Sequence, residues 1–259
     1  MKQGIVPVLE VRQPRPGYFE MKLAAPWIAV DAVPGQFVHV APSDGYHPLL
    51  RRPISVYDTD RVREVAILFR VEGEGTRMIA KKTVADSLDL LGPQGRGFRI
   101  DGLSNETVFL IGGGIGIPPI FFLSKTLKVS GQRHEVLLGA RGREHLIGVD
   151  RFEKIGIEVQ VASDDGSVGD KGFVTDLLKK RLDDIGDDSA RIYACGPTPM
   201  LKTIALLCRE YPNVRAQLSL EERMSCALGA CMGCVVNTVR GYERVCKEGP
   251  VFDAEGLVW

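Results

Sequence analysis

Four cysteines crowd into the last part of the chain, and their spacing is the strongest constraint on how that part can fold. They follow the pattern Cys226-x4-Cys231-x2-Cys234-x11-Cys246. The segment 221–259 is also rich in glycine, and it contains too little apolar material to form a core of its own. The sequence therefore predicts that this segment is held in place by a bound metal group or by a neighbouring part of the chain.

The spacing of the four thiols also bears on which metal group they bind. Zinc sites usually combine two short C-x2-C turns, whereas only Cys231 and Cys234 are that close here. The opening C-x4-C-x2-C is the pattern of plant-type 2Fe–2S proteins. We therefore predict a 2Fe–2S cluster, with a zinc site or free thiols as the alternatives. The outlying Cys195 and Cys208 are typical of small buried residues.

Composition excludes several classes of protein. The 33 basic residues balance the 33 acidic ones, which argues against a general nucleic-acid binder. A hydrophobic content of 44% is too high for a disordered chain. No apolar run reaches the roughly 18 residues of a membrane span, and the N-terminus has no secretory apolar core. These features predict a cytoplasmic protein that acts neither on nucleic acid nor in a membrane.

The first of three predicted domains, 1–103, consists of short apolar runs separated by turn residues. This pattern predicts a small closed barrel, here six-stranded and antiparallel, with a turn at 92–95. The expected strands are Gly4–Val8, Phe19–Leu23, Gln36–Val40, Ile54–Tyr57, Val65–Val71 and Ser87–Leu91.

The second predicted domain, 104–220, alternates strands with helices, which predicts a parallel sheet with helices on both faces. The expected strands are Thr107–Gly112, Glu135–Gly139, Glu158–Ala162, Arg191–Ala194 and Arg215–Leu220. The expected helices are Pro118–Val129, Val174–Leu182 and Pro199–Glu210. The cysteine-rich segment 221–259 is the third domain.

Two features of the barrel suit phosphate groups. The sequence Arg52-Pro53-Ile54-Ser55 presents a guanidinium fork at the start of a strand. Further along, Gly73-Glu-Gly-Thr76 opens a helical stretch, 77–82, whose first N–H groups could bind an anion. The simpler interpretation of 52–55 is an exposed basic turn, and that of 73–76 is an ordinary helix start. Because both features lie in the same barrel, we favour a nucleotide-bearing cofactor.

Three turns of the second domain follow buried strands, where open α/β sheets bind their ligands. They are Gly112–Gly116, Cys195-Gly196-Pro197 and Asp164–Ser167. The first is not G-x-G-x-x-G, because its third glycine would fall at Ile117, so a standard Rossmann assignment does not apply. The turns still predict a dinucleotide site, with plain strand–helix turns as the alternative.

Together these motifs resemble those of the ferredoxin-NADP reductase superfamily. The appended cysteine pattern narrows the resemblance to the electron-transfer subunits of NAD-dependent (class 1B) dihydroorotate dehydrogenases. The motifs that carry it are Arg-Pro-Ile-Ser at 52–55, Gly-Glu-Gly-Thr at 73–76, Gly-Gly-Gly-Ile-Gly-Ile-Pro-Pro at 112–119, Cys-Gly-Pro at 195–197 and the four clustered cysteines. The aromatic residue usual between Arg and Ser is replaced by Pro-Ile, which leaves the flavin-stacking group unassigned.

The resemblance implies FAD in the barrel, NAD+ as acceptor in the second domain and one 2Fe–2S cluster on the four cysteines. The implied flavin contacts are Arg52, Pro53, Ile54, Ser55, Leu68, Phe69, Arg70, Gly75 and Thr76. The implied nicotinamide-dinucleotide contacts are Gly112, Gly113, Gly114, Gly116, Gly196 and Pro197. Ser55 is expected near flavin N5 and Cys195 on the nicotinamide side, with a buried strand-end thiol as the alternative for Cys195.

The resemblance also implies a partner, an FMN-containing catalytic subunit that oxidises dihydroorotate, assembled two plus two with this chain. Electrons would pass from FMN through the cluster and FAD to NAD+, in pyrimidine (UMP) biosynthesis. This order of cofactors has a chemical reason. Hydride transfer moves two electrons at once, and an iron–sulfur cluster accepts one electron at a time. A flavin can do both, so it connects the two steps. Arg141 and Arg143 follow a strand where an NADP 2′-phosphate could sit. The alternatives are a reductase subunit of a sulfide dehydrogenase or hydrogenase, and a colourless zinc-binding regulatory module.

The role of Ser55 can be tested directly. Replacing Ser55 by alanine removes the hydroxyl expected beside flavin N5, so hydride exchange between FAD and NAD should slow. Rapid-reaction kinetics would measure this, and an unchanged rate would remove Ser55 from the chemistry.

Overall fold

The N-terminal part of the chain forms a closed barrel of six antiparallel strands, which confirms the predicted architecture. This computed structural model describes residues 1–103 and 106–259, and the barrel order is β1-β2-β5-β4-β3-β6. Alternate residues of the strands point inward, and Val38, Val40, Val56 and Ile67 are fully buried. The strands are β1 (Lys2–Arg15), β2 (Tyr18–Ala24), β3 (Phe37–Val40), β4 (Arg52–Thr59), β5 (Glu64–Arg70) and β6 (Ser87–Gln94).

The barrel differs from the sequence prediction in three places. The expected turn at 92–95 is mostly strand, because β6 pairs with β1 at Gly92 and with β3 at Gln94, and this pairing overrides the turn preference of Gly and Pro. The helix expected at 77–82 begins earlier and ends earlier, as α2 (Glu74–Ala80). A short helix, α1 (Pro26–Asp31), was not predicted, since six residues are too few to show helical periodicity.

The second part of the chain builds one seven-stranded sheet of order β10-β9-β8-β7-β11-β12-β15. All neighbouring strands run parallel except the last pair, β12 and β15. The strands are β7 (Thr107–Gly113), β8 (Glu135–Ala140), β9 (Val159–Ser163), β10 (Asp170–Lys171), β11 (Ala190–Cys195), β12 (Val214–Ser219) and β15 (Val251–Asp253). The predicted start of this domain at residue 104 lies outside the described residues.

Helices cover both faces of the sheet, as predicted. On one face, α3 packs against β7 and β11 and also against β4 of the barrel, and α4 packs against β9. On the other face, α5 and α6 pack against β8 and β12. The helices are α3 (Ile117–Val129), α4 (Val149–Lys154), α5 (Val174–Ile185) and α6 (Thr198–Glu210). The short α4 and β10 were not predicted. Within the part of the chain that the structure describes, no helix is long and apolar enough to span a membrane.

The cysteine-rich segment shares a strand with the large sheet. It contains a hairpin, β13 (Val235–Thr238) and β14 (Gly241–Arg244), but its third strand, β15, joins the large sheet beside β12. The buried Cys234, Val245 and Cys246 share a core with residues of the sheet and of α6. The prediction that a neighbour must hold this segment is therefore confirmed, while the boundary at 220/221 cuts through one sheet.

A buried ion-pair network joins the barrel to the sheet domain. Arg151 on α4 donates to Glu20 of β2 and to Asp58 of β4, at 2.8 Å in both cases. The same guanidinium lies over the ring of Tyr57, 4.9 Å from its centroid. Lys125 on α3 also binds Asp58, at 2.6 Å. Because charges with little access to water are costly when unpaired, this network holds the two units in one relative position.

Replacing Arg151 by leucine should destabilise the protein by about 2–4 kcal/mol, because two largely buried carboxylates lose their main partner. Urea unfolding followed by circular dichroism would measure this. Lys154→Leu on the same helix is the matched control, since its pair with Asp150 is exposed and should contribute only about 0–1 kcal/mol. Equal losses in the two variants would show that the network does not hold the domains together.

Candidate functional site

A cleft with a volume of about 1070 Å³ lies between the barrel and the sheet domain. A space of this size is sufficient for a cofactor as large as a dinucleotide. It is lined by eight of the nine residues predicted to contact a flavin, namely Arg52, Pro53, Ile54, Ser55, Leu68, Phe69, Arg70 and Thr76. Strands β4 and β5 present seven of them and α2 presents Thr76, so the clustering of the seven follows from the barrel's strand order.

The ninth predicted residue, Gly75, lies directly beneath the Arg52 guanidinium. A Cβ at position 75 would stand 2.5 Å from the guanidinium carbon, so any larger residue there would have to displace the arginine side chain. The Thr76 hydroxyl accepts the N–H groups of Glu72 and Gly73, at 2.9 and 3.1 Å, and so shapes this turn itself. The arginine and the glycine-rich turn, far apart in sequence, therefore form one wall of the cleft.

A further wall of the cleft was not predicted. The segment from Ser219 to Met224 follows β12 and lines the cleft opposite the barrel motif. Glu221 lies here near Arg70, and desolvation raises the pKa of the Glu221 carboxyl while Arg70 opposes that shift. The sequence does contain one indication of this wall: the charged run Glu221-Glu222-Arg223 follows a buried strand. Ligands bind at the carboxyl ends of parallel strands.

Two of the three turns predicted to bind a dinucleotide, 112–116 and 195–197, meet where the strand order of the sheet reverses. Strand β7 begins the α/β domain and lies between β8 and β11, so its junction with β11 is the switch point at which such sheets bind ligands. A Cβ at Gly116 would stand 2.3 Å from the carbonyl oxygen of Cys195, which requires glycine there. Gly113 and Gly196 are also in close backbone contact. Ile115, in the turn 112–116, lines the cleft.

Cys195 agrees with its second interpretation, a buried strand-end thiol, whereas the turn at 164–167 differs from a strand–helix turn. Cys195 ends β11, is 1% exposed and does not line the cleft; burial raises the pKa of its thiol, and contact with Ser219 opposes the shift. Its role beside the nicotinamide stays a prediction. The turn at Asp164–Ser167 leads from β9 into the short strand β10 and not into a helix.

The four clustered cysteines converge in two pairs. The thiol of Cys226 lies close enough to Cys231 to affect its ionisation, and that of Cys246 lies likewise close to Cys234. Backbone N–H groups donate to the sulfurs: Leu228 to Cys226 at 3.3 Å and Gly233 to Cys231 at 3.4 Å. Two pairs of thiols with N–H donors fit a cluster of two irons, each bound by one pair.

The electrostatics of the thiols differ between the two pairs. Although burial opposes it, the backbone N–H groups around Cys226 lower the pKa of that thiol to about 6, which favours the metal-binding thiolate. Burial, together with contact with Cys234, raises the pKa of Cys246 to about 12. Among residues 1–103 and 106–259, no three His, Cys, Asp or Glu side chains are arranged to hold a single metal ion.

Sequence comparisons agree with the cysteine geometry. Residues 221–258 match the family described as the iron-sulfur cluster binding domain of dihydroorotate dehydrogenase B, and residues 110–205 match the oxidoreductase NAD-binding domain. A dihydroorotate dehydrogenase B (NAD(+)) electron transfer subunit from Desulforamulus reducens is 40% identical over 257 residues, 97% of each chain. The one from Bacillus pumilus is 37% identical over 260 residues, 98% of each chain.

The chain belongs to the family of dihydroorotate dehydrogenase B electron-transfer subunits.

Solved structures extend the comparison to the fold. A chain from the structure of an NADH-dependent reduced ferredoxin-NADP oxidoreductase, described in work on flavin-based electron bifurcation, is 30% identical. Its TM-score is 0.87, and the match covers 99% of this chain and 90% of that one. A ferredoxin NADP+ reductase from Neisseria gonorrhoeae shares the fold with a TM-score of 0.69 at 15% identity, over 85% of this chain and all of that one. The predicted superfamily is therefore confirmed.

Replacing Cys231 by serine should abolish the cluster, because a hydroxyl is a poor ligand for iron–sulfur centres. Iron and acid-labile sulfide, expected at about two each per chain, should fall sharply, with loss of visible absorbance. Cys208→Ser is the matched control, since Cys208 lies half-buried on α6, away from the four clustered thiols. Full iron in the Cys231 variant, or zinc in the wild type, would contradict the assignment.

Proposed function

We propose that this chain is the electron-transfer subunit of an NAD-dependent dihydroorotate dehydrogenase and delivers electrons from a catalytic partner to NAD+. In this proposal residues 1–103 carry FAD, 104–220 bind the nicotinamide dinucleotide and 221–259 carry a 2Fe–2S cluster. Family membership supports it, and so do the cleft beside the barrel motif and the paired thiols.

The observation that carries the proposal is the continuity between cleft and cluster. Residues 219–224 line the cleft, and the chain reaches Cys226 two residues after Met224. Met224 and Ala227 share a buried core with Cys234 and Cys246. The segment that lines the cleft is therefore the segment that leads into the metal-binding loop. Two redox groups bound at these places would be neighbours, as electron transfer between them requires.

The residues of the chain bind and orient the cofactors. Arg52 and the turn at Gly75 and Thr76 would hold the flavin pyrophosphate, since a guanidinium and free N–H groups both bind phosphate oxygens. Ser55 would place its hydroxyl at the flavin ring. A bound flavin supplies two-electron hydride chemistry on one side and one-electron transfer on the other. No side chain of this chain has to act as acid or base on dihydroorotate.

The partner in this proposal is an FMN-containing catalytic subunit, in an assembly of two copies of each chain. Curated relatives are named electron transfer subunits, which supports a partner but not a stoichiometry. The exposed thiol-bearing loop supports docking near the cluster, because Leu228, Cys231 and Met232 face solvent. A cytoplasmic location belongs to the proposal too, because reducing conditions keep thiolates available to iron.

A second candidate is the reductase subunit of a different complex. The chain of the NADH-dependent reduced ferredoxin-NADP oxidoreductase structure covers 99% of this one with a TM-score of 0.87. Both candidates use the same cofactors and differ in the electron donor. The partner therefore decides between them.

Co-expression with an FMN-containing dihydroorotate dehydrogenase of the same organism should yield a stable complex. That complex should reduce NAD+ when given dihydroorotate, because the route from donor to acceptor is then complete. Size-exclusion chromatography with light scattering, together with absorbance at 340 nm, would measure assembly and activity. Size consistent with two copies of each chain is expected.

The variant Cys231→Ser distinguishes electron exchange between FAD and NAD from electron transfer through the cluster. It should still oxidise NADH with ferricyanide as acceptor, while dihydroorotate-dependent NAD+ reduction falls by about tenfold or more, since the link to the partner is lost. A fully loaded complex that forms no NADH from dihydroorotate would contradict the proposal and favour the second candidate.

A further inference from the structure

We propose that His39 is a positioning residue for electron transfer: it holds the strand that carries the motif 52–55 against the segment 219–224, and so sets the separation of flavin and cluster. The inference rests on the proposed function, because it concerns electron transfer between the same two cofactors. It adds a residue that is not among the predicted ligands of either cofactor.

The side chains of β3 face two different cores. Val38 and Val40 lie in the core of the barrel, whereas Phe37 shares a buried core with Met224 and with two of the clustered cysteines. Because side chains alternate along a strand, His39 lies on the same face as Phe37. This face of the strand is directed away from the barrel interior and toward the segment that leads to the cysteine loop.

The backbone of His39 is fixed relative to the motif 52–55. Pro53 of the motif lies directly opposite His39, and the register between β3 and β4 is regular. The guanidinium of Arg51 donates to the carbonyl of His39 at 3.4 Å and to the carbonyl of Asp89 on β6 at 3.0 Å. His39 therefore has one defined position relative to β4, the strand that carries the first predicted flavin contacts.

The imidazole of His39 lies where the two cofactor-bearing segments meet, and it is fully buried. Burial, followed by the positive charge of Arg51, lowers the pKa of His39 to about 4. The backbones of Arg51 and Met224 both lie close enough to oppose this shift. One of them precedes the motif 52–55, and the other precedes Cys226. The ring is neutral at neutral pH, with one N–H donor and one acceptor nitrogen.

Packing alone does not account for a histidine at this position. Neither ring nitrogen of His39 has a hydrogen-bond partner of good geometry among residues 1–103 and 106–259. A buried polar group without a partner costs free energy, and an apolar side chain would avoid that cost. A polar ring beside two backbone segments is satisfied in few of their relative positions, whereas an apolar side chain tolerates many. The imidazole therefore favours one arrangement of the two segments.

This arrangement bears on the distance between the redox groups. Arg51 and Met224 both line the cleft, and Met224 stands two residues before Cys226. A displacement at His39 would therefore move the cysteine loop relative to the cleft. Electron transfer falls steeply with the separation of the two centres, and reactions between bound groups already respond to displacements of about 1 Å.

The test uses the full-length chain that holds FAD and the cluster, without a partner. NADH reduces the flavin by two electrons, and the reduced flavin then passes one electron to the oxidised cluster. Stopped-flow absorbance gives the rate of each step. His39→Met removes both ring nitrogens and should lower the ratio of cluster reduction to flavin reduction by about tenfold. His39→Gln has nearly the same shape as methionine but keeps a donor and an acceptor, so its ratio should stay within about twofold of wild type.

A distance measurement distinguishes positioning from a change in driving force. In chains that hold one electron on the flavin and one on the cluster, the dipolar coupling between the two spins reports their separation by pulsed EPR. Wild type and His39→Gln should give the same narrow distribution of distances, and His39→Met a longer or broader one. His39→Leu is the second apolar variant, to be used if His39→Met does not accumulate as folded protein.

His134→Met is the matched control. Burial also lowers the pKa of His134, but its Nε2 lies 2.7 Å from the Ser124 hydroxyl and its Nδ1 lies 3.0 Å from the carbonyl of Gln132, both in the sheet domain. This variant should keep the wild-type ratio and distance, because it does not touch the contact between β3 and the segment 219–224.

The inference is overturned if the apolar variants of His39 keep the wild-type ratio and distance, if His39→Gln behaves like His39→Met, or if the His134 control shifts both readouts equally. These outcomes leave the proposed function standing, since all of them are measured on chains that hold both cofactors. A wild-type chain that binds no FAD or no iron counts against the proposed function and removes the inference with it.

Discussion

The interaction on which the arrangement depends is the addition of β15 to the edge of the large sheet. Strand β15 belongs to the cysteine-rich segment and pairs antiparallel with β12, the last parallel strand. Because the segment has little core of its own, this pairing and the burial of Cys234 and Cys246 against the sheet fix the cysteine loop in space. Residues 219–224 therefore run directly from β12 to the cysteine loop, and they form one wall of the cleft.

Contacts between the barrel and the sheet domain also explain why the three proposed cofactor sites lie together. The barrel presents Arg52 and Ser55 on β4, and helix α3 packs against both β4 and the sheet. The Arg151 network adds charged contacts across the same junction. The proposed dinucleotide contacts lie at the carboxyl ends of β7 and β11, where backbone N–H groups are free to face a ligand.

Charge placement at the carboxyl edge of the sheet follows tertiary contacts and not local sequence. Arg141 and Arg143 suggest a phosphate site when read alone, yet Arg143 binds the turn after β9 and the turn supplies carboxylates. Glu221 likewise reaches the cleft only because β12 ends beside it. Neighbouring strands in a parallel sheet come from distant segments of the chain. A local sequence motif therefore predicts only part of the surface at the edge of the sheet.

The sequence by itself predicted the fold class, the order of the parts and the four cysteines proposed as metal ligands. Alternation of apolar residues with turns specifies a barrel, strand–helix alternation specifies a parallel sheet, and a C-x4-C-x2-C loop specifies its ligands by spacing alone. Local patterns suffice there because each feature lies within a few residues. Only the tertiary structure decided that the cysteine segment shares the large sheet, that residues 219–224 line the cleft, that Cys195 is buried away from it, and which charges meet after β8 and β9. Those outcomes depend on strand pairing between segments far apart in the chain, and no local pattern encodes that pairing.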